Sequence, residues 1–185
     1  EIIEKLEKRV YLESKERNSS LDDASLNEIA HDVAIGTIRY ELIKPDLDKI
    51  ITFDINTSLK LEGDTCSYIQ YSCVRAARIL EKSDKKPDFN ASFDQLNTQH
   101  DLNLIKQIGM FEIFVNDAAK NYSPKVIAKY CYGLAVTFSS FYEHVKVLKA
   151  ETPELVNARL CLVLSFGLTL EKALDLLGIT VPQRM

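Results

Sequence analysis

Apolar residues recur at helical spacing along almost the whole chain, and this periodicity constrains the fold more than any other feature. Ile2, Ile3, Leu6 and Val10 open one stripe, and Leu26, Ile29, Val33, Thr37 and Tyr40 form the next. Strand-like alternation is confined to Ile50-Ile51-Thr52-Phe53. The expected fold class is all-α, a helical bundle. With 185 residues, 46% of them hydrophobic, the chain can bury one good core or two small ones.

Punctuation between the stripes sets the elements. A first helix is expected over about Glu1 to Glu16, ended by Asn18-Ser19-Ser20. Asp22 or Asp23 caps a second helix, and Pro45 stops it. Asp54 caps a short turn ending near Leu59, and Gly63 and Asp64 build a loop over 61–67. A helix follows from about Ser67 to Lys82, and the polar stretch Ser83 to Asn90 reads as a linker between two helical sets. Further helices are expected over Thr98 to Gly109, Met110 to Asn121, Pro124 to Lys146 and Pro153 to Leu177. Ser123-Pro124 and Thr152-Pro153 each offer a capping hydroxyl followed by proline at the first helical position, and Gly178 offers a stop.

Several function classes lack residues to carry them. No apolar run of about 18 residues spans a bilayer and no signal peptide opens the chain, so a soluble, cytoplasmic protein with no membrane partner is expected. Cys66, Cys73, Cys131 and Cys161 form no CxxC pair, which points to free thiols and no metal. His31, His100 and His144 stand alone on separate helices, and no phosphate-binding glycine loop, nucleophile elbow or HExxH motif occurs. No catalytic residue and no cofactor site is expected within these residues. The net charge of -4 does not suggest a general polyanion binder, although a local basic and aromatic patch on an acidic body can still select RNA.

Such a patch is legible in LEGDTCSYIQYSCVRAARIL, residues 61–80. On a helix, Tyr68, Tyr71, Arg75 and Arg78 share one stripe, while Ile69, Cys73, Ala76 and Leu80 form an apolar face for the core. Two phenols and two guanidiniums in line suit unpaired bases, because rings and guanidinium planes stack on base faces and arginine also bonds phosphate or base edges. Tyrosines half-buried against a neighbouring helix, with arginines paired to surface acids, would give the same pattern. Periodicity alone favours that second arrangement.

The segments VAIGTIRY at 33–40, ITFD at 51–54 and LEGDTCSYIQYSCVRA at 61–76 resemble the start of the C-terminal region of class I arginyl-tRNA synthetases. PKVIAKYCYGLAVTFSSFYEHVKVL at 124–148, NARLCLV at 157–163 and LDLLGITVPQRM at 174–185 resemble its later helices and tail, in the right order. Cys66-Ser67 stands where that family usually has Gly-Pro, Cys73 where a histidine or aromatic is common, and Glu171-Lys172-Ala173 where it often has Lys-Asn-Gly.

The resemblance implies a DALR-type anticodon-binding bundle over residues 29–185, the motif reading here Asn157-Ala158-Arg159-Leu160, with a polar linker near 83–90. Residues 1–28 then look like a helical segment left from the junction with a catalytic domain, so the chain is expected to be the later part of a longer protein. By resemblance, Tyr68, Tyr71 and Arg75 contact the anticodon, Glu62, Gly63, Asp64 and Thr65 shape its pocket, Arg78 continues the stripe, and Tyr142 and Met185 lie near it. Arg159 reads as an interior anchor paired with acids. The implied partner is the anticodon stem-loop of an arginine-accepting tRNA and not DNA, bound by a monomer. ATP, arginine and Mg would serve only the full-length ligase. The alternatives are the anticodon domain of another class I synthetase, such as the cysteine-specific one, and a helical protein-interaction scaffold without RNA.

Overall fold

The computed structural model describes residues 1–18, 21–46 and 48–185. Its regular elements are all helical: α1 Ile2–Arg17, α2 Asp23–Ile43, α3 Ile55–Ser58, α4 Cys66–Glu81, α5 Gln99–Gly109, α6 Phe111–Lys120, α7 Lys125–His144 and α8 Pro153–Asp175. No strand occurs among the described residues, and Ile50 to Phe53 run irregularly. Ser19 and Ser20 of the turn expected after α1 lie outside the described residues.

Most helix ends obey the chemistry of their capping residues. Asp22 accepts a hydrogen bond from Ser25 N–H at 2.8 Å, and Asp54 accepts from Asn56 N–H at 2.9 Å. Thr98 and Asp101 satisfy each other's backbone in a capping box, and Thr152 accepts from Leu155 N–H ahead of Pro153. Gly178, at φ +67°, turns the chain so that Ile179 N–H reaches Leu174 carbonyl at 3.0 Å. Pro124 is helical as expected, but the Ser123 side chain makes no cap hydrogen bond.

Helix α8 is the centre of the bundle. Leu160, Val163, Phe166, Leu170 and Leu174 are buried against α4, α5 and α7, and Phe166 stacks on Phe138 with ring centroids 3.8 Å apart. Each fully buried side chain of this size stabilises the fold by about 1.5–3 kcal/mol. By length and composition alone α8 is long and apolar enough to cross a membrane, but Leu160, Val163, Phe166, Leu170 and Leu174 are buried inside the bundle.

The polar stretch 83–90 does not divide two cores. Ile69, Cys73 and Ile79 before it share one apolar cluster with Leu104, Phe138 and Phe166 after it. Asp88 and Asn157 exchange two hydrogen bonds of 2.9 Å, which fasten the stretch to the start of α8. A second, smaller cluster joins α1 to α2 through Leu6, Val10, Ile29, Ala30 and Val33. The division expected between residues 28 and 29 falls inside α2, which runs unbroken from Asp23 to Ile43.

Candidate nucleic-acid interface

The loop before α4 is built to aim that helix. Gly63 takes φ +77°, a left-handed conformation that a side chain would strain. Thr65 then caps α4, accepting from Tyr68 N–H at 3.2 Å and donating its hydroxyl to Lys60 carbonyl at 2.6 Å. Tyr40 donates its hydroxyl to the Asp64 carboxylate at 2.5 Å, and Lys44 Nζ reaches the Asp64 carbonyl at 2.9 Å. Burial, followed by the bond to Asp64, pushes the Tyr40 phenol well above its ordinary range and keeps it a donor. Asp64 and Thr65 thus tie the loop to α2 and α4, while Glu62 and Gly63 face solvent.

From that start, α4 presents its polar stripe towards α7. Tyr71, Arg75 and Arg78 line a recess of about 540 Å³ together with Tyr142, Met185 and the segment after α7. The Arg75 guanidinium lies 3.9 Å from the centre of the Tyr142 ring and 5.5 Å from that of Tyr71, so one flat cation is within cation–π reach of two phenols. Neither Arg75 nor Arg78 pairs with an acid among the described residues, and Arg78 Nε is buried without a hydrogen-bond partner. Lys82 adds a third cation to the lining, and no carboxylate side chain faces it.

Tyr68 takes a different place on the same stripe. Its ring meets Tyr132 of α7 edge-on at 6.1 Å, outside the residues that line the recess. The structure therefore brings together Tyr71, Arg75, Arg78, Tyr142 and Met185. It sets Tyr68 and the 62–65 loop at the other end of α4.

Sequence reasoning missed the opposite wall. Helix α7 ends at His144 instead of Lys146, and Val145 is extended at φ -117° and ψ 125°. Val145, Val147 and Leu148 then border the recess. The alternating β-branched residues of Val145-Lys146-Val147 were the available signal, since such residues favour extended backbone. His100 and His144, expected to stand alone, stack with centroids 4.5 Å apart. The four thiols are buried and unpaired.

The recess offers planar faces, three cations and unused guanidinium donors, a combination that fits a planar, acceptor-rich, anionic ligand. Residues 69–185 match the family described as DALR anticodon binding domain. The chain is 36% identical over 185 residues to the arginine–tRNA ligase of Methanothrix thermoacetophila, covering 100% of itself and 33% of that protein. It is 34% identical over 177 residues to an arginine–tRNA ligase of Streptococcus pneumoniae, covering 96% of itself and 30% of that one. Among solved structures, the arginyl-tRNA synthetase of Thermus thermophilus superposes with a TM-score of 0.88 at 33% identity, over 100% of this chain and 32% of that one. The Plasmodium falciparum arginyl-tRNA synthetase shares the fold with a TM-score of 0.86 at 24% identity, over 99% of this chain and 33% of that one. The chain spans about a third of the length of these relatives.

Proposed function

Because the chain belongs to the DALR anticodon binding domain family and matches arginyl-tRNA synthetases along its length, we propose that the recess between α4 and α7 holds unpaired anticodon-loop bases of an arginine-accepting tRNA. The observation that carries this reading is Arg75, whose guanidinium lies over both Tyr142 and Tyr71 in a recess lined by no Asp or Glu side chain. A base slides onto such rings at little cost in order, because the phenols and the guanidinium are already packed in place. Tyr71 and Tyr142 supply stacking faces, Arg75 donates to a base edge or phosphate, and Arg78 and Lys82 attract the backbone. Met185 closes the recess from the side of α1 and α2. Tyr68 and the Glu62 to Thr65 loop act at the far end of α4, where they set its direction or meet a neighbouring nucleotide.

In this reading residues 29–185 do the RNA binding, and α1 is the junction to a catalytic region. The activity of the whole protein would be ATP-dependent ligation of arginine to tRNA, with Mg, by residues outside this chain. These residues supply positioning, as a monomer, in the cytoplasm.

The test is direct titration of the chain with the anticodon stem-loop of an arginine-accepting tRNA and with the same hairpin carrying a scrambled loop. Preference for the cognate loop that persists as salt is raised supports the reading, because phosphate contacts alone weaken equally for both. Equal affinity at every salt concentration would favour the scaffold alternative.

A further inference from the structure

On the far side of the recess wall lies Arg159, a buried residue of α8. Its Nε and Nη2 donate to the two carboxylate oxygens of Asp101, each at 3.4 Å, and its Nη1 donates to the carbonyl of Lys146 at 3.1 Å. Asp101 is fully buried and fixed in turn by Thr98, whose hydroxyl donates to it at 2.6 Å. One guanidinium therefore joins α8, the first turn of α5 and the segment that follows α7. The residues flanking Lys146, Val145 and Val147, have their side chains on the recess.

A buried ion pair alone does not need arginine, since a lysine ammonium can neutralise a carboxylate. The third bond does need it. A planar fork with separate donors can hold a carboxylate and a carbonyl at once, whereas a single ammonium on a flexible stem gives up one of them. The backbone at Lys146 has no helix or sheet to hold it, because α7 has ended at His144. Its position rests on Arg159, on the hydrogen bond from the neighbouring Val145 N–H to the Phe141 carbonyl at 2.9 Å, and on the burial of Val145 and Val147.

We propose that Arg159 is a positioning residue for the base recess: through the Lys146 carbonyl it fixes the 145–148 wall at the distance from Tyr71 and Arg75 that a base requires. This inference rests on the reading of the recess as a base site. Arg159 touches no RNA in this account and acts only through the wall.

The decisive variant is Arg159→Lys in the full 185-residue chain, probed with the cognate anticodon stem-loop and, without RNA, by amide hydrogen exchange over residues 145–150. Exchange in that segment is expected to quicken, and affinity to fall about tenfold, the scale of one hydrogen bond from a charged donor. Protection in α8 should stay close to that of the parent chain. Unchanged exchange at 145–150 overturns the inference, and so does faster exchange with unchanged affinity. Should Arg159→Lys not fold, an ester link between Lys146 and Val147 weakens the carbonyl acceptor while leaving Arg159 and Asp101 intact, and the same outcomes decide. Tyr71→Ala separates the two readings. Lost affinity in Tyr71→Ala beside full affinity in Arg159→Lys overturns the inference alone, whereas full affinity in both overturns the base site and the inference with it.

Discussion

The bundle and the α1–α2 pair bury apolar surface in different ways. In the bundle, Tyr130, Phe138, Phe141 and Phe166 are nearly or fully buried and interleave with leucines from α5, α7 and α8. Between α1 and α2 the contacts are aliphatic, Leu6 and Val10 against Ile29, Ala30 and Val33, with a half-buried rim of Tyr11, Leu21 and Phe53. The larger core fixes the cations and rings of the recess on two helices that cannot move independently. Among the described residues the smaller one reaches the recess only through Met185, which packs on that cluster and also lines the recess. A core rich in aromatic rings thus carries the recognition surface, and a smaller aliphatic cluster borders one edge of it.

Removing the Phe166 ring should do the greatest harm. Phe166→Ala leaves a cavity beside Phe138 and is expected to lower unfolding free energy by about 3–5 kcal/mol in a denaturant titration. A loss below about 1 kcal/mol would mean that the bundle core collapses around the gap. Leu6→Ala should cost about 2–3 kcal/mol and act locally. Hydrogen exchange is expected to show α1 opening while α8 stays protected. If α8 loses protection to the same extent, the two clusters unfold as one unit and the contrast between them fails.

Two residues of one stripe offer a finer comparison. Tyr71→Ala should weaken binding of the anticodon stem-loop by about 1–3 kcal/mol, the worth of one stacked base. Tyr68→Ala should weaken it less and lower stability instead, because its ring packs on Tyr132. A larger affinity loss at Tyr68 would move the base site towards the 62–65 loop.

Alkaline pH should act on the bundle and spare α1–α2. Burial raises the thiols of Cys66 and Cys73, and pushes that of Cys131 up to about 12; all three lie in the bundle core. The folded state holds these protons, whereas the unfolded chain releases them near the ordinary thiol value of about 8.5. Stability is therefore fully present below that pH and falls as pH rises towards 12. Each proton retained costs about 1.4 kcal/mol per pH unit in that window. Melting temperatures between pH 8 and pH 11 check this, and a flat profile would contradict it.

Where local chemistry decides structure, the sequence was readable. Asp22, Asp54, Thr98, Thr152 and Gly178 act through their own side chain or backbone, and each stands at the helix end that its chemistry favours. Tyr71, Arg75 and Arg78 were legible as a set because helical spacing alone puts them on one face. Partners from distant segments were not. Tyr142 was reached only by family resemblance, since nothing in its own surroundings says that Arg75 will lie on its ring. At Val145 to Leu148 the β-branched alternation was outweighed by the apolar period of α7, which continues past His144, and a tertiary bond from Arg159 accompanies the break. Ser123 has the chemistry of a cap and precedes a helical proline, yet its hydroxyl makes no cap hydrogen bond.

A base site in the recess requires that Arg75 and one loop base meet there. A double-mutant cycle measures that contact: stem-loops with an abasic site at each loop position in turn, titrated into the parent chain and into Arg75→Ala. At one position the two losses should overlap, so that removing both partners costs at least about 1 kcal/mol less than the sum of the separate losses. Strict additivity at every loop position, with both proteins folded, would contradict it.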